Sequence, residues 1–228
     1  MEIDLLAYGF WVAVLQIIAI DILLGGDNAV VIALACRQLP EKQRKIGIFY
    51  GVAGAIVLRV ILIFFALQLL AITWLKVIGG ILLLWIGIKL ILPEHNQHKN
   101  VNATTSIYGA VRTIIIADAV MSLDNVVAVA AASKGNLYLV VFGILVSIPI
   151  IVYGSQLVIK LMDRFPIVII AGGALLGWIG GSMIATDPAI VTEVKYYIPY
   201  SEYVVSAVGA VLVVLIGKIF TKFSKSKK

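Results

Sequence analysis

The chain alternates between long apolar runs and short polar breaks. Seven runs are legible, over Tyr8–Ala35, Ile46–Leu70, Trp74–Leu92, Ile107–Ala132, Leu137–Leu161, Pro166–Ala185 and Tyr203–Ile219. A helix crosses the ~30 Å hydrocarbon layer of a bilayer with about 20 residues, so each run is read as a transmembrane helix. The breaks fall at Arg37–Lys45 with Pro40, at Pro93–Ser106, at Lys134-Gly135-Asn136, at Asp163–Pro166 and at Asp187–Glu202. Around the Leu70–Trp74 break only Thr73 and Lys76 interrupt the apolar sequence, and a tight turn is expected there because one helix through both runs would be far too long.

Composition agrees with that pattern. Of 228 residues 62% are hydrophobic and 13% charged, with a mean hydropathy of +1.09. Too few polar residues remain to cover a soluble core, which excludes a separate soluble catalytic domain, a disordered chain and a disulfide scaffold. The lone Cys36 reads as a small apolar residue at a helix end. Glu2 and Asp4 stand where a signal peptide carries basic residues, so the first run is expected to remain as an anchor. The net charge of +6 does not indicate nucleic-acid binding, because the basic residues sit in short loops and in the tail.

Lys and Arg favour the cytoplasmic side of a membrane. With the N-terminus outside and the C-terminus in the cytoplasm, the inner segments hold fourteen basic residues: Arg37, Lys42, Arg44, Lys45, Lys89, Lys99, Arg112, Lys160, Arg164 and five tail lysines. The outer segments hold only Lys76, Lys134 and Lys195, and Arg59 lies within a span. This asymmetry supports the seven-span arrangement independently of hydropathy.

The chain also repeats itself. Asp21-Ile-Leu-Leu-Gly-Gly-Asp27-Asn28 is echoed 97 residues later by Asp118-Ala-Val-Met-Ser-Leu-Asp124-Asn125. Gly79-Gly80, with Trp85-Ile86-Gly87, is echoed 93 residues later by Gly172-Gly173, with Trp178-Ile179-Gly180. Two ordered echoes at nearly one offset imply a duplicated three-helix unit. Three is odd, so the second copy enters the membrane inverted, an arrangement that places transporter substrate sites where the copies meet. The expected chain is thus one transmembrane domain over residues 1–228. Repeat 1 spans about 8–92 and repeat 2 about 107–185, followed by a seventh helix at about 203–219 and a basic cytoplasmic tail at 220–228.

Of twelve acidic residues, four lie inside spans: Asp21, Asp27, Asp118 and Asp124. Each mid-bilayer Asp costs ~3 kcal/mol, roughly 12 kcal/mol for the set before pairing, which demands an offsetting role. Asp21 and Asn28 are seven apart and fall within about 20° of one helix face, as do Asp118 and Asn125. Asp27 points about 100° away from Asn28 on a regular helix, unless Gly25-Gly26 unwinds the backbone. Ser122-Leu123 stands at the corresponding place in the second copy, where any break is expected to be weaker. Carboxylate and amide oxygens without His or Cys form a hard ligand set suited to Mn²⁺, Mg²⁺ or Ca²⁺. The competing readings are interhelical hydrogen bonding and pairing with Arg59 or Lys89. Duplication of the motif, with Asn following each time, favours the cation site.

Other features are weaker. Glu94-His95 with His98 suggests a metal-binding tract in a loop. Gly51, Gly54 and the Gly-Gly pairs suggest close helix packing. Arg59 reads either as a counter-charge for the site or as a side chain snorkelling outward, while Tyr196, Tyr197, Tyr200 and Tyr203 read as an interfacial belt. No nucleophile–base set, P-loop or dinucleotide fingerprint is present, so an enzyme is not expected and no prosthetic group is implied.

The paired Asp-x5-Asp-Asn motifs, with Trp85-Ile86-Gly87 before Lys89, resemble the TerC family of integral membrane proteins. The compact form is similar to its YjbE-type branch, and the family is grouped with LysE-like transporters. The resemblance implies seven helices and export of divalent cations, chiefly manganese, from the bacterial cytoplasmic (inner) membrane. Asp21, Asp27, Asn28, Asp118, Asp124 and Asn125 are then the implied metal residues. Ser182 stands where the first copy has Lys89, so any role for that lysine is not duplicated. The expected function is a secondary-active Mn²⁺ exporter, with membrane lipid and the cation as partners, protons as counter-ion, and room for a homo-oligomer. The alternatives are a non-transporting accessory protein and a LysE-type small-molecule exporter.

Overall fold

The computed structural model describes residues 15, 27–65, 68–69, 72–92, 103–132, 137–192 and 200–226, with side chains described except at 103–106, 124–132, 137–140 and 222–226. Among the described residues the chain is all helix, with no strand. The helices are α1 (Asp27–Cys36), α2 (Glu41–Phe64), α3 (Leu75–Ile91), α4 (Ala103–Ala132), α5 (Leu137–Arg164), α6 (Ile167–Ala185) and α7 (Ser201–Ser226). Among the described residues four segments are long and apolar enough to cross a membrane: α2, α6, residues Val141–Arg164 of α5 and Ser201–Thr221 of α7.

Helices α3 to α6 fall within four residues of the expected spans at each end. Helix α2 does not. It starts at Glu41, directly after Pro40, where an acidic side chain complements the helix dipole. It stops at Phe64, short of the expected Leu70, because the Phe65 N–H is shared between the Ile61 and Leu62 carbonyls at 3.3 and 3.2 Å and tightens the last turn. The chain reaches α3 through a turn ending at Trp74, whose φ of 71° is left-handed. Helix α7 runs beyond the expected Ile219 to Ser226, carrying Lys218, Lys222 and Lys225 at helical spacing into the basic tail.

Glycines decide which helices touch. A Cβ on Gly51 or Gly54 of α2 would strike Ile114 or Ile115 of α4, so these two helices pack closely and run in the same direction. Helices α3 and α6 run in opposite directions. A Cβ on Gly180 would lie 2.7 Å from the Gly80 carbonyl, and Gly87 and Gly173 would each strike the other's carbonyl at 3.2 and 3.4 Å. Gly177 and Gly181 of α6 meet the backbone of α7 around Val205–Ala210. Helix α1 lies on α6 and α5, with Val30 and Leu34 against Gly172 and Ala29 against Gly154. The buried core runs through α1 to α6, with Leu34, Ile48, Leu83, Ile114, Ile159 and Leu176 almost wholly enclosed. Large apolar side chains such as Phe64, Tyr153, Leu157 and Ile167 are exposed outside it, as lipid rather than water would require.

Both ends of α3 are held from elsewhere in the chain. Asp187, just past α6, is fully buried. Its carboxylate accepts from the backbone N–H groups of Trp74 at 3.1 Å, Lys76 at 3.0 Å and Val77 at 3.3 Å, and from Ala189 at 2.8 Å. It therefore caps a helix more than a hundred residues away, satisfying donors that an N-terminus leaves orphaned. At the other end Arg37 donates to the Leu90 carbonyl at 3.0 Å, a cation at a helix C-terminus.

Burial pushes the Asp187 carboxyl upward, but the four backbone donors outweigh it and hold the group below its ordinary value of 3.8. A depressed carboxyl stabilises the fold above the unfolded pKa, and that stability is lost as pH falls through the lower folded value. Asp187→Ala is expected to lower unfolding stability in detergent by about 2–4 kcal/mol at neutral pH, with orphaned buried donors as the cause. The gap between wild type and variant should shrink as pH drops below about 4; a gap that stays constant in acid would contradict the cap. Gly177→Val, whose Cβ would fall 2.8 Å from the Ala210 Cα, should cost at least about 2 kcal/mol through overpacking. Gly109→Ala, with nothing within 4 Å, should be neutral or slightly stabilising in the same assay.

Candidate functional site

The site is built where α1, α2, α4 and α5 meet. Gly51 and Gly54 bring α2 onto α4, and two turns beyond Gly51 this contact carries Arg59 to Asp118. Both are buried, at 6% and 7% exposure. Arg59 Nη2 donates to Asp118 Oδ1, and Arg59 Nε donates to Ser122 Oγ at 3.1 Å. Ser122 Oγ in turn donates to Asp118 Oδ2 at 3.3 Å. Asp118 and Ser122 are one helical turn apart, so α4 presents both to the guanidinium fork. Arg59 is thus a counter-charge inside the bundle and does not snorkel outward. Lys89, the other basic side chain weighed for that role, is exposed and lies over the Trp85 ring, 5.3 Å from its centroid.

Beside this ion pair lies a small cavity lined by Asn28 and Ile32 of α1, Val52, Ala55, Ile56 and Arg59 of α2, Asp118 of α4, and Ile144, Ser147, Ile148 and Ile151 of α5. About 20 Å³ of it is open to a water-sized particle, enough for one water or one bare ion. Asn28 is 3% exposed, yet neither its Oδ1 nor its Nδ2 has a hydrogen-bond partner among the described residues. Asp27 Oδ1 is buried and unpartnered in the same sense. Asp27 lies within electrostatic range of both Asp118 and Arg59. Native interiors pair nearly all such groups, so an unsatisfied Asn28 amide in a mostly apolar cavity that also holds Asp118 and Arg59 points to something polar that binds there.

The structure therefore brings Asn28 and Asp118 to one cavity, with Asp27 at the first described residue of α1. Asp21 and the Gly25-Gly26 pair lie outside the described residues, as does the His95–His98 loop. Asp124 and Asn125 belong to α4, whose backbone is helical throughout residues 103–132, but their side chains lie outside the described residues. That unbroken backbone agrees with the weak break expected at Ser122-Leu123. Position 125 falls on the Asp118 face of α4, while position 124 is about 120° around the axis. Among the described residues no three His, Cys, Asp or Glu side chains gather into a metal cluster. The oxygen donors at the cavity are carboxylate, amide and hydroxyl.

Two participants escaped the sequence. Ser147 donates to the Ile144 carbonyl at 2.8 Å and lines the cavity. Pro149, inside α5 and flanked by four of the lining residues, removes a helix hydrogen bond at that level. A proline within an apolar run is a visible signal for such a loosened helix. The serine carries none.

Comparison with known proteins places these features in a family. Residues 7–225 match the model of the integral membrane protein TerC family. The chain is 46% identical over 180 residues to the uncharacterized membrane protein YjbE of Bacillus subtilis, covering 79% of this chain and 82% of that one. It is 30% identical over 197 residues to YkoY of the same organism, an uncharacterized membrane protein, covering 77% of this chain and 60% of the relative. It is 24% identical over 191 residues to the inner membrane protein YgdQ of Escherichia coli, covering 76% and 80%. No solved structure matches. With a family model matching almost its whole length, the chain belongs to the TerC family of integral membrane proteins.

Proposed function

We propose that this protein is a secondary-active exporter of a hard divalent cation, manganese foremost, in the bacterial cytoplasmic membrane. The observation that carries the reading is the unsatisfied pair Asp27 and Asn28 beside the cavity that Asp118 lines. Oxygen donors without thiol or imidazole suit Mn²⁺, Mg²⁺ or Ca²⁺. In this reading Asp21, Asp124 and Asn125 complete the ligand set, protons serve as the counter-ion, and seven spans run with the N-terminus outside.

The inverted repeat is part of the proposal, and the glycine contacts support it. Moving Gly80 and Gly180 each to its counterpart 93 places away turns their contact into the one between Gly173 and Gly87. A two-fold relation between α3 and α6 has that property. The cavity lies among α1, α2, α4 and α5, which are the first two helices of each proposed copy, and transporters built this way bind their substrates at such a junction.

The second reading, a non-transporting protein whose carboxylates hold the helices together, draws on the closed network of Arg59, Asp118 and Ser122. It accounts for Asp118 but not for Asp27 and Asn28, which glue would leave partnered. The LysE-type alternative needs room for an organic backbone, and the small space beside Asn28 suits an ion better.

Cells producing the wild-type protein should hold less manganese and survive more of it than cells lacking the gene. Asp27→Asn keeps volume and hydrogen-bonding capacity while removing charge, so a ligand role predicts near-complete loss of this protection. Asp124→Asn should fail likewise, with the double variant little worse than either single. Cellular manganese and membrane abundance of each variant check this together. Full protection by an abundant Asp27→Asn or Asp124→Asn protein would refute the shared site.

A further inference from the structure

Resting on the cation-site reading above, we infer that the Arg59 guanidinium is a tethered stand-in for the transported cation, holding Asp118 when no divalent ion is bound and leaving it when one binds. Arg59 and Asp118 line the same cavity as Asn28, so the arginine sits at the site and not merely behind it. Both members of the pair are buried, and a buried carboxylate needs a neutralising partner at all times. A divalent ion held by Asp118 would bring two positive charges against the guanidinium in a poorly screened interior. Two cations on one carboxylate repel each other, so a bound ion loosens the guanidinium's hold on Asp118 and the guanidinium opposes the ion.

Arg59 is suited to this exchange. Its Nε donates to Ser122 Oγ while Nη2 donates to Asp118; the guanidinium is one rigid plane, so it leaves both partners together by rotation of its flexible aliphatic stem. Among the described residues no other basic side chain lines the cavity. Counterparts of Arg59 in the second copy, 93 to 97 places on, fall within residues 152–156, and none of these is basic. The tether therefore belongs to one copy and makes the site asymmetric.

A purely structural ion pair and a stand-in cation predict opposite effects of removing Arg59. Without a structural partner, Asp118 is destabilised and cation binding is unchanged or weakened. Without a competitor, the divalent ion binds more tightly and leaves more slowly. Binding of Mn²⁺ to the purified full chain in alkaline detergent solution, read from the spin-resonance signal of free Mn²⁺, separates the two. Arg59→Gln is expected to tighten binding at least roughly tenfold. In inverted membrane vesicles the same variant should lower both KM and the maximal rate, a split that a packing defect does not produce. Arg59→Lys retains a tethered charge but lacks the fork, so its affinity should fall between wild type and Arg59→Gln.

A folded Arg59→Gln protein with unchanged or weaker affinity would overturn the inference. If that variant does not fold, Arg59→Lys decides, and an affinity no tighter than wild type overturns it. Asp27→Asn keeps the underlying reading separate. Wild-type binding that Asp27→Asn abolishes, with no tightening in either Arg59 variant, defeats the stand-in alone. Absence of Mn²⁺ binding by wild type and all variants defeats the cation site and the stand-in together.

Discussion

A single buried ion pair constrains the centre of this bundle. Each charge in a low-dielectric interior carries a desolvation penalty of several kcal/mol, repaid only when geometry is close and remaining donors are satisfied. Arg59 meets that requirement through Asp118 and Ser122, and it reaches them only because Gly51 and Gly54 let α2 lie directly against α4. Bulkier residues at those glycines would separate the helices and strand both charges. The small cavity follows from the same geometry, because helices α1 and α5 close over the pair without filling the space beside Asn28.

Around this centre the helices are fixed by backbone contact more than by large side chains. Glycines of α3, α6 and α7 meet carbonyls and Cα atoms of their neighbours, a mode suited to a solvent as apolar as the helices themselves. Helix α3, only 17 residues long, is further pinned by Asp187 at one end and Arg37 at the other. The group formed by α3, α6 and α7 is therefore stiff, while α5 carries Pro149 at the level of the cavity. A rigid glycine-packed scaffold beside a loosened helix at the site is an arrangement that moving an ion through the protein would use.

Much of this was legible in the sequence because hydropathy and helix length obey the same rule, set by bilayer thickness. Helices α3 to α6 were placed to within four residues at each end, and the glycine motifs announced the close contacts that occur. The start of α2 was obscured because Glu41–Lys45 is polar, and a polar helical turn outside the hydrocarbon looks like a loop by hydropathy alone. Its end was obscured because Phe64–Leu70 is apolar but for Gln68, so no proline, glycine or charge marks the stop. Asp27, Asn28 and Asp118 stood out because a carboxylate or amide within an apolar run is costly. The direction of Arg59 was not legible, since a long flexible side chain within a span can reach a neighbouring helix or snorkel to the interface. Nor was the role of Asp187, whose partners lie over a hundred residues away and are backbone groups, which leave no mark on composition.

The central claim is that a divalent cation passes through the protein by way of the cavity that Asn28 and Asp118 line, next to Asp27. Purified protein reconstituted into sealed vesicles, with Mn²⁺ on one side and a Mn²⁺-quenched dye on the other, tests it most directly. The account predicts quenching well above that of protein-free vesicles with wild type, and quenching at the protein-free level with Asp27→Asn. Equal quenching by wild-type and protein-free vesicles, with the protein monodisperse and inserted, would contradict it.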